Sequence, residues 1–162
     1  MEFADISGKL FNKLGKEGVL LTAGVDKSNT MTVNWATIGY MWGKPVLVVP
    51  VRKIRYTYSF IEKTGAFTVS ICEKNKKKML SIFGDKSGRE VDKYSLANIS
   101  TIPAKAVNGR VIDQPGYHIE CKVLYMDNID KAHMDPEIVK KYYGSDEGHT
   151  LIFGEIVSAY KK

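Results

Sequence analysis

Short β-capable runs, joined by turns and brief helices in no regular alternation, set the fold class of this 162-residue chain. Residues 18–25 are apolar and β-capable, Asp26-Lys27-Ser28-Asn29 supplies turn chemistry, and residues 30–37 follow with β-branched and aromatic side chains. This pair reads as a hairpin with both strands half buried. Residues 46–51 are apolar throughout, as in a strand covered on both faces. In residues 66–72, Phe67, Val69 and Ile71 alternate with Thr68 and Ser70; in 117–126, Ile119, Cys121 and Val123 alternate with His118, Glu120 and Lys122. Residues 149–160 form a last strand, and 98–115 hold short pieces broken by Pro103, Asn108-Gly109 and Pro115-Gly116. The stretch 39–45, with Trp42, Gly43 and Pro45, reads as a break.

The helices are short. Apolar spacing marks 3–14 and, ending at Gly65, the segment after Arg55; 74–83 is a third. Ser87-Gly88-Arg89-Glu90 has the form of a capping box starting a helix through about Leu96, and Asp135-Pro136 opens one to Tyr143. About seven β segments with helices inserted irregularly do not fit a parallel Rossmann sheet. A mostly β fold with short helices, closed or nearly closed into an antiparallel β-barrel, leaves few open edges.

The length suits one domain over 1–162, and 44% apolar with 26% charged residues is ordinary globular composition. The longest uncharged apolar run, 45–51, is far too short to span a bilayer. The first residues carry no signal or transit pattern, so a cytoplasmic protein is expected. Cys72 and Cys121 lie far apart in apolar stretches and read as buried free thiols of a reducing compartment. The net charge of +6 favours an anionic partner: a phosphate-bearing cofactor, an acidic protein or a nucleic acid.

Three segments place anion-binding groups at the ends of elements. Residues 28–35 are rich in hydroxyl and amide groups able to bond a phosphate or a ring edge, or simply to form an exposed turn. Arg52-Lys53-Ile54-Arg55-Tyr56-Thr57 puts three cations between a buried strand and a helix N-terminus, where unpaired N–H groups suit a phosphate. Lys86-Ser87-Gly88-Arg89, with Lys93 beyond, puts cations at a helix start against the dipole preference, which a bound anion would resolve; the alternative is a solvated cap. Lys74, Lys76, Lys77 and Lys78 read as a wet helix face without the interleaved aromatics of a nucleic-acid site. His118, His133 and His149 are scattered, no metal-ligand spacing or catalytic triad is present, and neither GxGxxG nor GxxxxGK[ST] occurs. Reactivity in such a chain would come from a cofactor.

In order and spacing, Asn29-Thr30-Met31-Thr32-Val33-Asn34-Trp35, Lys44-Pro45, Arg52-x-x-Arg55-Tyr56-Thr57, Lys86-Ser87-Gly88-Arg89-x-x-Asp92-Lys93, Glu120-Cys121-Lys122 and residues 149–156 resemble the flavin reductase-like family, including flavoredoxin-type proteins. The resemblance runs from about residue 17 to 160 and implies an FMN-binding split barrel of Greek-key type, a homodimer with flavin near the subunit interface. It implies that Asn29, Thr30, Met31, Thr32 and Trp35 border the isoalloxazine and ribityl chain, that Arg52, Arg55 and Thr57 hold the phosphate, and that Ser87, Gly88, Arg89 and Lys93 close the same pocket. His149 matches a position near the flavin or nicotinamide; many relatives have an acidic residue just before it, and this chain has Gly148. The activity implied is an FMN-dependent oxidoreductase in which NADH or NADPH reduces the flavin and electrons pass to free flavin, a protein or a small acceptor. An FMN electron carrier without its own NAD(P)H reaction would share the same pocket. A basic nucleic-acid-binding barrel is a third reading, and it predicts salt-dependent binding and no flavin. The phosphate reading requires Arg52, Arg55, Thr57 and the 87–89 turn to converge on one pocket.

Overall fold

The first hairpin forms where its turn residues demand: β1 (Val19–Gly24) pairs antiparallel with β2 (Ser28–Val33), Val19 opposite Val33 and Gly24 opposite Ser28. The computed structural model describes residues 3–73 and 77–162. Strand β1 is buried at every position rather than half buried, because Val19, Leu21 and Ala23 enter one core cluster while Leu20 enters a second. The expected break at 39–45 is instead a second hairpin, β3 (Thr37–Met41) with β4 (Lys44–Val51). Its two-residue turn has Trp42 at φ 55 and Gly43 at φ 72, the double left-handed geometry that matches strand twist. The Tyr40 hydroxyl donates to the Gly43 carbonyl at 2.8 Å and braces the turn.

Helix α1 (Phe3–Lys13) precedes this sheet, and α2 (Tyr56–Thr64) follows β4 and ends as its sequence indicates. Gly65 adopts φ 63 and donates to the Ile61 carbonyl. Strand β5 (Ala66–Cys72) is buried on both faces. Helix α3 (Lys77–Asp85) occupies most of the expected 74–83 segment; residues 74–76 lie outside the described residues. The helix expected from the 87–90 capping box starts later, as α4 (Lys93–Ala97), because Asp92 accepts from the N–H groups of Tyr94 and Ser95 and takes the capping role. Short strands β6 (Thr101–Pro103) and β7 (Arg110–Ile112) form a separate hairpin. The long strands β8 (Gly116–Asn128) and β9 (Thr150–Lys161) pair with each other, separated by an excursion holding a 3₁₀ turn at Lys131–His133 and α5 (Pro136–Tyr142), capped by Asp135.

The main sheet is antiparallel throughout, in the order β2-β1-β5-β8-β9-β4-β3. Its two edge strands, β2 and β3, are consecutive in sequence. Four residue steps from Val33 to Thr37 span at most ~14 Å of chain. Seven strands laid flat would hold those edges ~29 Å apart. The sheet therefore curls into a barrel, as expected. Leu47, Val49, Phe67, Val69, Ile119, Cys121 and Ile152 fill it, with Ile6 and Leu10 of α1 packed against them. Outside it, Met79, Leu80 and Phe83 of α3 cover Leu20, Cys72 and Ile112.

Alternation misplaces two residues of β8: His118 and Glu120 are fully buried, not solvent-facing. The loop between β6 and β7 folds over Glu120, while the His118 ring bonds the Ser70 hydroxyl and the Gln114 carbonyl. Glu120 Oε1 accepts from the Lys105 N–H (2.8 Å) and the Tyr160 hydroxyl (3.0 Å), and Oε2 from the Ala106 (2.6 Å) and Val107 (3.2 Å) N–H groups. Four donors replace the water such a carboxylate loses. No helix among the described residues is long and apolar enough to cross a membrane.

Candidate functional site

The three anion-binding segments meet. Asn29 and Met31 of β2, Arg55 and Thr57 at the start of α2, the turn Lys86–Arg89 and Lys93 at the start of α4 line a cleft of about 140 Å³. Arg55 occupies the N-cap position of α2 with no side-chain cap bond, and the first turn carries no acidic residue, so that helix end presents its N–H groups uncapped by any side chain. Thr57 is buried; its Oγ1 accepts from Asn29 Nδ2 at 2.7 Å, which leaves the hydroxyl hydrogen to donate. Arg55 Nη1 donates to the Gly84 carbonyl at 3.0 Å, which ties the guanidinium to the C-terminal end of α3.

Gly88 is required by space. A Cβ there would collide with the Asn29 side chain and press on the Tyr56 ring. Ser87 turns the chain by accepting from the Arg89 N–H at 3.2 Å, and Arg89 lies 4.7 Å from the Tyr56 ring centroid while donating to the Ile54 carbonyl. Lys93 is 4% exposed, donates to the Phe83 carbonyl at 3.2 Å, and has no carboxylate within ion-pair distance among the described residues. Burial, and then the Arg55 guanidinium, push its pKa down to about 8.

A second cleft of about 290 Å³ shares Met31 and Arg55 with the first and runs on past Thr32, Asn34, Trp35, Pro50, Arg52 and His149. Arg52 lies here rather than in the small cleft. Its guanidinium is ion-paired with Asp146 and donates to the Tyr142 carbonyl at 3.1 Å. Residues 52–55 form a turn, with the Arg55 N–H on the Arg52 carbonyl; the Arg52 guanidinium is held by the Tyr142 carbonyl and Asp146, and that of Arg55 by the Gly84 carbonyl. Trp35 is half exposed and packs edge-on against Tyr142, with centroids 5.2 Å apart, and against His149 at 5.4 Å. His149 Nδ1 lies 3.1 Å from the Tyr143 hydroxyl. Burial first, then Arg52 and Arg55, hold the His149 pKa below its ordinary value. Of the remaining expected residues, Thr32 lines this cleft while its hydroxyl donates to the Leu80 carbonyl, and Thr30 is buried away from both clefts, its Oγ1 bonded to Thr22 and Tyr94.

Sequence reasoning missed Tyr142, Tyr143 and Asp146, all on the excursion before β9. Only the placement of aromatics at the end of an amphipathic helix hinted at them. The two clefts together fit a phosphate at the cationic end and a flat ring at the aromatic end, joined across Met31 and Arg55. A buried lysine without an ion-pair partner among the described residues and a glycine cradle closed to any Cβ both favour an anion at the small end.

Comparison with known proteins gives the fold and lineage. An uncharacterized protein of Archaeoglobus fulgidus is 28% identical over 138 residues, which cover 85% of this chain and 68% of that protein. The flavoredoxin of Desulfovibrio vulgaris (Miyazaki F) superposes with a TM-score of 0.70 at 24% identity, over 92% of this chain and 72% of that one. The NADH:FAD oxidoreductase of Streptomyces globisporus C-1027 superposes with a TM-score of 0.66 at 20% identity, over all of this chain and 86% of that one. At these identities the two superpositions speak for the fold, that of the flavin reductase-like split barrels. The model of the flavin reductase like domain matches residues 12–162, and the chain belongs to that family.

Proposed function

We propose that this chain is a one-domain FMN-binding oxidoreductase that takes electrons from NADH or NADPH and passes them to free flavin or another acceptor. The observation that carries the reading is Lys93: a buried ammonium group beside Arg55, with no carboxylate within ion-pair distance among the described residues, in a cleft continuous with an aromatic-walled one. An ammonium group so placed is costly on its own and is stabilised by a compensating anion. Arg55, Lys93, Thr57 and the N–H groups of α2 would hold the phosphate, with Gly88 and Ser87 shaping the turn around it. Met31, Thr32 and Trp35 would border the ring, and Asn29 would orient Thr57. Bound flavin would supply the hydride and one-electron chemistry that no side chain here offers. Arg52, by holding Tyr142 and Asp146, keeps the excursion folded over the ring-side cleft and limits water there.

A homodimer is part of the proposal. Edge strand β3 exposes Tyr40 and Met41, and the adjoining Trp42 is exposed beside Tyr125 and Phe153, an apolar edge suited to pairing with a second copy. A cytoplasmic setting accords with the two unpaired cysteines. The flavoredoxin likeness supports a second reading, an FMN electron carrier with no NAD(P)H reaction of its own.

The test is the visible spectrum of the purified chain after FMN is added and the excess removed, followed by anaerobic addition of NADH and NADPH. Retained flavin that bleaches with either nucleotide supports the reductase. Retained flavin that bleaches only with dithionite supports the carrier. A folded protein that retains no flavin overturns both and returns weight to nucleic-acid binding by the basic surface.

A further inference from the structure

His149 stands where the excursion rejoins the barrel, and its imidazole packs against Trp35 on one side and Tyr143 on the other, with ring centroids at 5.4 and 5.5 Å. Its Nδ1 faces the Tyr143 hydroxyl at 3.1 Å, and its Nε2 has no hydrogen-bond partner among the described residues. Gly148 makes this arrangement reachable. At φ 94 it turns the chain back on itself, and a Cβ there would sit against the Tyr143 ring at 3.7 Å. Tyr143 is fixed in turn: its N–H donates to the Val139 carbonyl at the end of α5 and its side chain is buried. A phenol O–H is more acidic than an imidazole N–H, and the unprotonated imidazole nitrogen is a better acceptor than a phenol oxygen. The proton of this bond therefore rests on Tyr143, and the imidazole hydrogen on Nε2.

We propose that Tyr143 is the positioning residue for His149: by donating to Nδ1 it fixes the tautomer that offers Nε2–H to the ring-side cleft, as a hydrogen-bond donor to a carbonyl oxygen of a planar ring bound there. That the ring is a flavin or a nicotinamide rests on the function proposed above. The charged groups around His149 agree with a phenol in this role. Arg52 and Arg55 disfavour an imidazolium, and the Asp146 carboxylate is held by Arg52. Burial raises the Tyr143 pKa, so the phenol keeps its proton. A carboxylate in the same place would draw a second proton onto the ring; a phenol leaves a neutral donor.

The test is long-range ¹H–¹⁵N spectroscopy of the whole ¹⁵N-labelled chain, with the His149 signals assigned by their loss in His149→Gln. The expected wild-type result at pH 7, without flavin, is a single Nε2–H tautomer. Tyr143→Phe should turn it into an averaged mixture and weaken riboflavin binding roughly three- to tenfold. Adding riboflavin alone should move the Nε2 signal if the acceptor is the flavin; movement only when NAD⁺ is added to the flavin-loaded protein assigns it to the nicotinamide. An Nδ1–H tautomer in the wild type, or a spectrum unchanged by Tyr143→Phe, overturns the proposal; if that variant fails to fold, the wild-type tautomer decides alone. An Nε2 signal that neither ligand moves, in protein whose visible spectrum shows bound flavin, overturns it while leaving the flavin reading intact. Failure to bind flavin sinks that reading and the ring acceptor with it, and the tautomer still decides what Tyr143 does.

Discussion

Replacing Lys93 by Met should move stability and flavin affinity in opposite directions. The folded protein holds this ammonium at a pKa of about 8 against an ordinary 10.5. At ~1.4 kcal/mol per pH unit, the full cost of burying the charge would be roughly 3 kcal/mol at neutral pH. Screening by the open cleft and the loss of the bond to the Phe83 carbonyl, about 1 kcal/mol, reduce the gain expected from Lys93→Met to roughly 1–2 kcal/mol in the flavin-free protein. The sign follows from proton counting. Between pH 8 and 10.5 the unfolded chain binds more protons at this residue than the folded one, so wild-type stability rises with pH and the gap to the variant narrows. FMN should bind Lys93→Met ~10- to 100-fold more weakly, because a charge-assisted contact to phosphate is lost, while riboflavin, which has no phosphate, should bind as before. In the wild type the FMN dissociation constant should rise as pH climbs past about 8, by up to ~tenfold per unit, and the variant should lack that slope. Urea denaturation of the flavin-free forms and fluorescence titration with both flavins measure these quantities. A variant that is less stable than wild type and binds FMN equally well would refute the reasoning and make Lys93 a packing residue.

Gly88→Ala should abolish measurable FMN binding and lower stability by roughly 1–3 kcal/mol, since the added Cβ displaces buried Asn29 and with it the bond to Thr57; binding within ~threefold of wild type would contradict the cradle. Arg55→Ala should weaken FMN by more than ~1.4 kcal/mol and leave riboflavin unchanged by fluorescence titration; equal losses for both flavins would remove Arg55 from the phosphate. Arg52→Ala should instead speed amide exchange over residues 131–147 and change the preference for FMN over riboflavin by less than ~threefold, because its partners are Asp146 and Tyr142; a large loss of that preference would place Arg52 on the phosphate after all. Glu120→Gln should lower stability by roughly 2–4 kcal/mol in urea, as an amide nitrogen meets the Lys105 N–H and the charge leaves three further bonds, with flavin affinity unaltered; a neutral effect would mean that the 105–107 loop is not anchored there.

Local chemistry made much of this fold legible. Hydrophobic alternation marks β5 and β8, Gly65 ends α2, and Asp135-Pro136 opens α5, because each is decided within a few residues of chain. Strand β3 stayed hidden because its turn puts Trp42, a bulky residue, in the left-handed region, so only Gly43 signals the hairpin. The burial of His118 and Glu120 was equally illegible: alternation reports which way a side chain points, not whether a distant loop covers that face. At 87–92 two capping signals competed within one short stretch, and Asp92 won because its carboxylate also accepts from the Ser95 hydroxyl, a bond Ser87 has no counterpart for.

The site divides along the same line. Groups fixed by position along one element, such as Arg55 and Thr57 at the start of α2, could be assigned from the order of residues, since a strand running into a helix leaves its N–H groups and the flanking cation on one side. Arg52 could not, although it is only three residues away, because a partner 94 positions later decides its use. Tyr143 and His149 are the extreme case: six positions apart in sequence, they meet where the chain turns back through Gly144 and Gly148, both at positive φ. In the proposed reading, placement of the ligand's charge would be written locally, at the helix start, whereas orientation of the groups facing its ring would depend on the excursion closing over the barrel. Sequence can nominate the first kind of residue, and only the folded chain identifies the second.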